Sequence, residues 1–190
     1  PDPARSTRPW SGEVFWNDAW NQDLDLSGAF RSTRVWYFRQ LIDEIGQDLM
    51  QEEPNRLPYG NRDLSDWAGR LNTNNRNPAL TGFWIESSLL ISPKEQTEVL
   101  ARVFGEQTAY SPASLEALQQ AMFQPELSDA RCAIYGKTGM GKCDGVVVDA
   151  WFTGFAGDGE ARRCFCVYLG ETEGQDVSST RARNIAVRLL

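Results

Sequence analysis

The residues best suited to chemistry form a tripeptide, Lys137-Thr138-Gly139, at the end of an apolar run. An ammonium and a hydroxyl side by side can hold an anionic group, and a glycine without a Cβ lets a ligand lie against the backbone as an added strand. Ligands that carry a carboxylate and resemble a peptide fit this description. Three common residues can also meet at a strand end by chance, so the tripeptide alone assigns no function.

Composition narrows the classes of function. The chain has 190 residues, 41% hydrophobic and 24% charged, which is ordinary for one globular domain spanning 1–190. Its 19 basic and 26 acidic residues give a net charge of −7, which is no electrostatic footprint for nucleic acid, and no apolar run is long enough to span a membrane. The four cysteines form no Cys-x-x-Cys pair and there is no histidine, which excludes a zinc site and a histidine-based triad. We therefore expect small-molecule or protein partners, no cofactor and no metal.

The elements that must position the tripeptide are strands. Three apolar stretches separated by glycine-rich connectors are predicted as strands: 131–137, 146–155 and 163–169. Their tight connections predict antiparallel pairing, with Gly157-Asp158-Gly159 as a hairpin turn. Whether two of the four cysteines form a disulfide is open, and buried free thiols in strands are the expected state.

Helices are predicted before and after these strands. Apolar residues at three and four residue spacings from Val35 to Leu49 predict one helix that ends near Gln51, before Pro54. Two helix starts follow, a capping box at Ser92-Pro93-Lys94-Glu95 and Ser111-Pro112, and a last helix is capped by Ser178 or Ser179. Residues 1–30 are expected to be irregular and anchored by tryptophans, and 57–82 to form a long polar loop. The fold class is α+β, an antiparallel sheet flanked by helices.

An ordered set of motifs resembles the C-terminal two-thirds of a class D (oxacillinase-type) serine β-lactamase, and is similar to the penicillin-sensing domains of bacterial receptors. The motifs are Tyr59-Gly60-Asn61, Phe83-Trp84, Ile91-Ser92-Pro93-x-Glu95-Gln96, Lys137-Thr138-Gly139 and Trp151-Phe152-x-Gly154. The resemblance implies a transpeptidase-like fold, a serine acyl-enzyme and β-lactam or peptidoglycan-like ligands. It also implies a periplasmic or extracellular location.

The resemblance also implies roles for individual residues. Lys137, Thr138 and Gly139 would hold the substrate carboxylate and line the acylation site, and we expect Lys137 at the mouth of the main cleft. The backbone N–H of Met140 would form half of an oxyanion hole. Trp84 matches a tryptophan that packs against a carboxylated lysine. We expect Trp84 beside the cleft, near Thr33 and Lys137, with an ordinary core tryptophan as the alternative.

Two further positions depart from the family pattern or leave a choice. Thr33-Arg34-Val35 falls where the family has Ser-x-Val, whose hydroxyl relays a proton; Ser32 could replace Thr33 only if the backbone slips. Arg181 matches an arginine that binds the substrate carboxylate, and Arg183 fits nearly as well.

The family nucleophile, the serine of a Ser-x-x-Lys, is the largest departure. No serine here is followed by lysine three positions on. By family order that motif belongs upstream of residue 1, which favours a chain that is the C-terminal portion of a larger β-lactamase-like domain over a degenerate relative. Three functions remain: a β-lactam hydrolase, a sensing module acylated without turnover, and a remnant without chemistry.

Overall fold

Six helices and three strands build the part of the chain that the structure, a computed structural model, describes: residues 6–15, 17–68, 88–143, 146–157, 161–172 and 176–190. The helices are Leu26–Arg31 (α1), Val35–Ile45 (α2), Gln47–Arg56 (α3), Pro93–Val103 (α4), Pro112–Met122 (α5) and Ser179–Leu189 (α6). The strands are Ile134–Cys143 (β1), Val146–Ala156 (β2) and Arg163–Gly170 (β3). They form an antiparallel sheet in the order β1-β2-β3, which confirms the α+β class and the predicted pairing.

The two faces of the sheet pack against different helices. One face meets α6 through buried side chains: Ile134, Phe152, Ala156, Ala182 and Ala186. The other face meets α4 and α5 through a second buried set: Leu100, Phe104, Met122 and Phe155. Successive strand residues point to opposite faces. Lys137, which pairs with Thr153, therefore lies on the same face as Phe155, towards α4 and α5.

Close approach of β1 and β2 requires a glycine at position 154. A Cβ built there would lie 1.9 Å from the carbonyl oxygen of Tyr135, a distance that no side chain tolerates. Phe152 and Phe155, on either side of this position, are both 0% exposed. Full burial of each phenylalanine contributes roughly 1.5–3 kcal/mol, so this part of β2 holds the sheet between its two helical layers.

The predicted helix from Val35 to Gln51 is wrong in two respects. Gly46, with φ of 77°, ends α2, and α3 starts again at Gln47. The break interrupts the predicted apolar pattern, and Leu49 is 59% exposed. The helix also continues past position 54, because the N–H of Leu57 donates to the carbonyl of Glu53 and closes the last turn.

Helix starts follow the sequence signals closely. Ser92 and Glu95 form the predicted capping box, Ser111 caps α5, and Ser178 rather than Ser179 caps α6. Helix α1 was missed; the carboxylate of Asp25 caps it by accepting the N–H of Gly28 at 2.7 Å. A short apolar helix inside an irregular region carries too few turns to show a period.

The N-terminal residues are anchored by aromatic side chains, as predicted. Trp20 is 8% exposed and lies in a cluster with Phe15, Ala29, Trp36 and Tyr37, against which Trp10 packs. Position 16 lies outside the described residues. The thiols of Cys132, Cys164 and Cys166 are free, as expected, but they are part-buried rather than buried, and Cys132 lies before β1.

Candidate active site

The tripeptide Lys137-Thr138-Gly139 lies in the middle of β1, which continues to Cys143. The predicted end of the strand at residue 137 is therefore too early. Glycines at 139 and 141 weaken the strand pattern in the sequence. In the structure Gly139 still pairs with Trp151, so contacts with β2 override the local preference.

Lys137 joins two segments that are far apart in the sequence. Its Nζ donates to Oγ1 of Thr33 at 2.7 Å, across 104 residues, and to the carbonyl oxygen of Thr138 at 2.7 Å. Burial lowers the pKa of Lys137 from 10.5 to about 8. The structure thus brings together the hydroxyl expected to relay a proton and the cation expected to hold the substrate carboxylate.

Thr33 occupies a strained turn between α1 and α2. Its φ of 53° is left-handed, which is unusual for a β-branched residue. The turn is closed on both sides, since the N–H of Thr33 donates to Phe30 O and the N–H of Arg34 donates to Ala29 O. The hydroxyl of Ser32 is engaged elsewhere, because it donates to Gly28 O within α1. Thr33, and not Ser32, is therefore the hydroxyl that faces Lys137.

Alternation along β1 gives the direction of the Met140 N–H. The N–H of Ile134 and the carbonyls of Ile134 and Gly136 point to the outer edge of the strand, where they bond to groups outside the sheet. The carbonyl of Thr138 accepts from Lys137 on that edge. Because these directions alternate along an antiparallel strand, the N–H of Met140 points to the same edge, away from β2. Met140 is 53% exposed, so a ligand could reach this donor.

The other expected site residues described are Val35, Arg181 and Arg183. Each has contacts with groups other than Thr33 and Lys137. Val35 begins α2 and packs against the aromatic cluster around Trp36. Arg181 lies in the first turn of α6, where its Nη1 donates to Asp176 O at 2.9 Å. Arg183 lies 3.9 Å from a carboxylate oxygen of Glu126. The choice between the two arginines stays open.

Trp84 lies outside the described residues, and so does its expected position beside Thr33 and Lys137. The nearby Tyr59-Gly60-Asn61 motif has a structural task. Asn61 donates from its backbone N–H to Leu90 O and accepts the N–H of Leu90 on its side-chain oxygen. Gly60 has φ of 51°, and a Cβ there would lie 1.8 Å from Leu90 O. The motif therefore fixes the segment that leads into α4.

A cavity of about 730 Å³ lies between α1, α5 and β1. Arg31 and Tyr135 line it, and each is two residues from a member of the Thr33–Lys137 pair. Lys137 is not among its lining residues, so its expected place at the mouth of the main cleft stays a prediction. No helix within the described ranges is both long and apolar enough to cross a membrane.

Sequence reasoning missed three polar side chains around this site. Gln124 bonds to the outer edge of β1, and Asp149 accepts the N–H of Gly141 at 3.0 Å, just after Met140. Arg34 is 7% exposed, and its Nε and Nη1 have no hydrogen-bond partner in the described part of the chain. Burial lowers its pKa. Only Arg34 had a signal, since it sits inside the Thr-x-Val pattern; the partners of the other two are set by tertiary contacts.

Comparison with known proteins supports the fold and the resemblance. The chain is 30% identical over 181 residues to the probable beta-lactamase YbxI of Bacillus subtilis (strain 168), covering 95% of this chain and 60% of that protein. It is 29% identical over 182 residues to the regulatory protein BlaR1 of Bacillus licheniformis, covering 95% and 27%. The chain therefore spans well under two-thirds of these relatives.

Solved structures agree with these relatives. A class D beta-lactamase from Bacillus subtilis matches with a TM-score of 0.77 and 29% identity, over 97% of this chain and 68% of that one. The C-terminal domain of the Bacillus licheniformis BlaR penicillin-receptor matches with a TM-score of 0.77 and 27% identity, over 97% and 68%. The resemblance to class D β-lactamases and penicillin-sensing domains is thus confirmed. Residues 6–190 match the penicillin binding protein transpeptidase domain, and the chain belongs to that family.

Proposed function

We propose that this chain supplies the substrate-binding and proton-transfer part of a serine acyl-enzyme site that binds and hydrolyses β-lactams. The carrying observation is the 2.7 Å hydrogen bond from Lys137 Nζ to Thr33 Oγ1. The family resemblance gives Thr33 the relay of a proton and gives Lys137 a place in the acylation site. A β-lactam offers a carboxylate that suits the cation and a strained carbonyl that suits the outward N–H of Met140.

The proposed roles follow from the charges. Lys137 and Thr138 bind the ligand carboxylate, with Gly139 leaving room for the ligand and Arg181 or Arg183 assisting from α6. With a pKa of about 8, about a tenth of Lys137 is neutral at pH 7, so it can exchange a proton with the Thr33 hydroxyl. Val35 keeps its position in the Thr-x-Val pattern, and Trp84 keeps its role of packing against a carboxylated lysine, as the resemblance implies.

The nucleophile in this proposal is a serine on a segment outside this chain. The serine hydroxyl gives its proton to the lysine of the same Ser-x-x-Lys while its oxygen attacks the lactam carbonyl, and the N–H of Met140 stabilises the negative charge on the carbonyl oxygen. The C–N bond of the ring then breaks, and the ring nitrogen takes that proton, relayed from the lysine through the Thr33 hydroxyl. Water hydrolyses the resulting ester in the last step. As in relatives of this kind, we place the protein outside the cytoplasm.

A sensing module is the second candidate. It is favoured by the BlaR1 relative, whose 29% identity nearly equals the 30% of YbxI. Such a module would form the same ester and stop there. The chemistry of Lys137 and Thr33 up to acylation is common to both, so only the hydrolysis of the ester separates them.

The test uses the full-length gene product and a fluorescent penicillin. We expect many turnovers per protein, measured as product against time. A single stoichiometric label on the intact mass would support the sensor, and no label at all would leave a remnant without chemistry.

The 190-residue chain by itself provides the control. We expect that it is neither labelled nor active, because no serine in it has a lysine three positions on. Stoichiometric labelling of this chain would contradict the placement of the nucleophile outside it.

A further inference from the structure

The outer edge of β1 is closed along its first residues. The N–H of Ile134 donates to Oγ of Ser128 at 2.8 Å, and the carbonyl of Ile134 accepts the N–H of Gln124 at 2.9 Å. Two residues further along, the carbonyl of Gly136 accepts Nε2 of Gln124 at 3.0 Å. One glutamine thus covers two successive outward carbonyls.

The side-chain amide of Gln124 is held in a single orientation. Besides Gly136 O, its Nε2 donates to Met122 O at 3.2 Å, so both amide hydrogens have acceptors. Its carbonyl on the main chain accepts from Oγ of Ser128 at 2.8 Å and from the N–H of Leu127 at 3.1 Å. The group that closes the edge is therefore itself fixed.

The edge opens at the residue where a ligand is expected. Thr138 and Met140 are the next two outward positions, and the carbonyl of Thr138 faces the Lys137 ammonium. An extended ligand adds to such an edge through main-chain hydrogen bonds, in steps of two residues. One step along β1 moves the ligand by about 7 Å. The carbonyl to be attacked would then lie far from the N–H of Met140.

We propose that Gln124 is a positioning residue that fixes the register in which a peptide-like ligand pairs with β1. It closes the edge as far as Gly136. Beyond it the Thr138 carbonyl accepts from Lys137, and the N–H groups of Thr138 and Met140 have no partner within the described residues. The identity of the ligand as a β-lactam rests on the function proposed above. The closure itself rests only on the hydrogen bonds of Gln124.

The test compares Gln124→Met with wild type in the full-length protein. Methionine has a similar length but no donor, so Gly136 O becomes open to a ligand while the backbone N–H of Gln124 still covers Ile134 O. We expect acylation by a fluorescent penicillin to slow about three- to tenfold. Loss of the hydrogen bond from Gln124 to Gly136 O opens that carbonyl, so part of the ligand binds in a shifted register. We also expect a five-residue N-acetylated peptide with a free C-terminal carboxylate to bind about three- to tenfold more tightly, because it can use the extra acceptor. A two-residue peptide with the same C-terminal residues should not gain.

The matched control is Ser128→Ala, which removes the edge bond to the N–H of Ile134 and the bond to Gln124 O but leaves Nε2 of Gln124 on Gly136 O. It should lower thermal stability and leave the ratio of the two peptide affinities unchanged. Peptide binding is measured by calorimetry, so it does not depend on acylation.

An unchanged ratio in Gln124→Met would overturn the register role and leave the proposed function standing. A changed ratio in a protein that penicillin does not label would support the register role and overturn the proposed function. If neither peptide binds wild type, the pairing edge does not exist and the register role is wrong.

Discussion

Lys137→Met probes the charge state of the site, because Lys137 is a buried ammonium without a carboxylate partner in the described residues. Burial lowers the pKa of Lys137 from 10.5 to about 8. One pKa unit corresponds to about 1.4 kcal/mol, so the gap between these values corresponds to about 3 kcal/mol. The folded state is less stable by this amount while Lys137 is charged.

The sign of the pH dependence follows from which state binds the proton. Below about pH 8 Lys137 is protonated in both states, and the cost is constant. Between about pH 8 and 10.5 the folded protein has released a proton that the unfolded chain still binds. The free energy of unfolding contributed by this residue therefore rises with pH through that window.

The assay is urea unfolding of wild type and Lys137→Met, followed by tryptophan fluorescence at a series of pH values. We expect the free energy of unfolding of wild type, minus that of the variant, to rise by up to about 3 kcal/mol between pH 7 and 10.5. Tyr59 and Cys166, whose pKa values burial raises, titrate in both proteins and cancel in the difference. Thr33→Val should keep the rise, because burial and not the hydrogen bond causes it. Parallel curves for wild type and Lys137→Met would refute the reasoning.

Three further predictions test the scaffold by thermal unfolding. Gly60→Ala should cost at least about 2 kcal/mol, because its Cβ would meet Leu90 O, whereas Gly12→Ala, with positive φ but open space around it, should cost clearly less; equal losses would contradict the clash. Ser92→Ala should cost about 1 kcal/mol through loss of the capping box, and Ser92→Asp should restore most of it, unless the cap contributes nothing. Arg34→Met should raise the free energy of unfolding by about 1–3 kcal/mol, because it removes a buried cation; a clear loss would show that the guanidinium has an acceptor after all.

Sequence patterns predicted elements whose signals are local. Four consecutive residues, 92–95, predict the start of α4. An apolar run with glycine-containing connectors on both sides predicts β2. The break at Gly46 was not predictable in the same way. A glycine inside an amphipathic pattern reads as a weak helix residue, and only its positive φ shows that α2 ends there.

The residues of the candidate site also differ in how far the sequence predicts them. The family resemblance marked Thr33 and Lys137 as site residues, but neither it nor any periodicity predicted the hydrogen bond between them, 104 positions apart. No pattern in the sequence predicted a role for Gln124. Its side chain follows an ordinary helix end, and its partner Gly136 becomes visible only when β1 is folded beside it.

The alternation of side chains along β1 has a consequence for how this site can change by mutation. Lys137 extends from the face that packs on α4 and α5, whereas Thr138, which pairs with Phe152, extends from the face that packs on α6. The two groups meet again only at the strand edge, where Lys137 Nζ lies 3.5 Å from Thr138 Oγ1. Substitutions in α6 can therefore adjust the hydroxyl while the surroundings of the cation stay the same, and substitutions in α4 or α5 can do the reverse. Neighbours in the chain are thus open to separate selection, which lets ligand binding and proton transfer drift independently in related proteins.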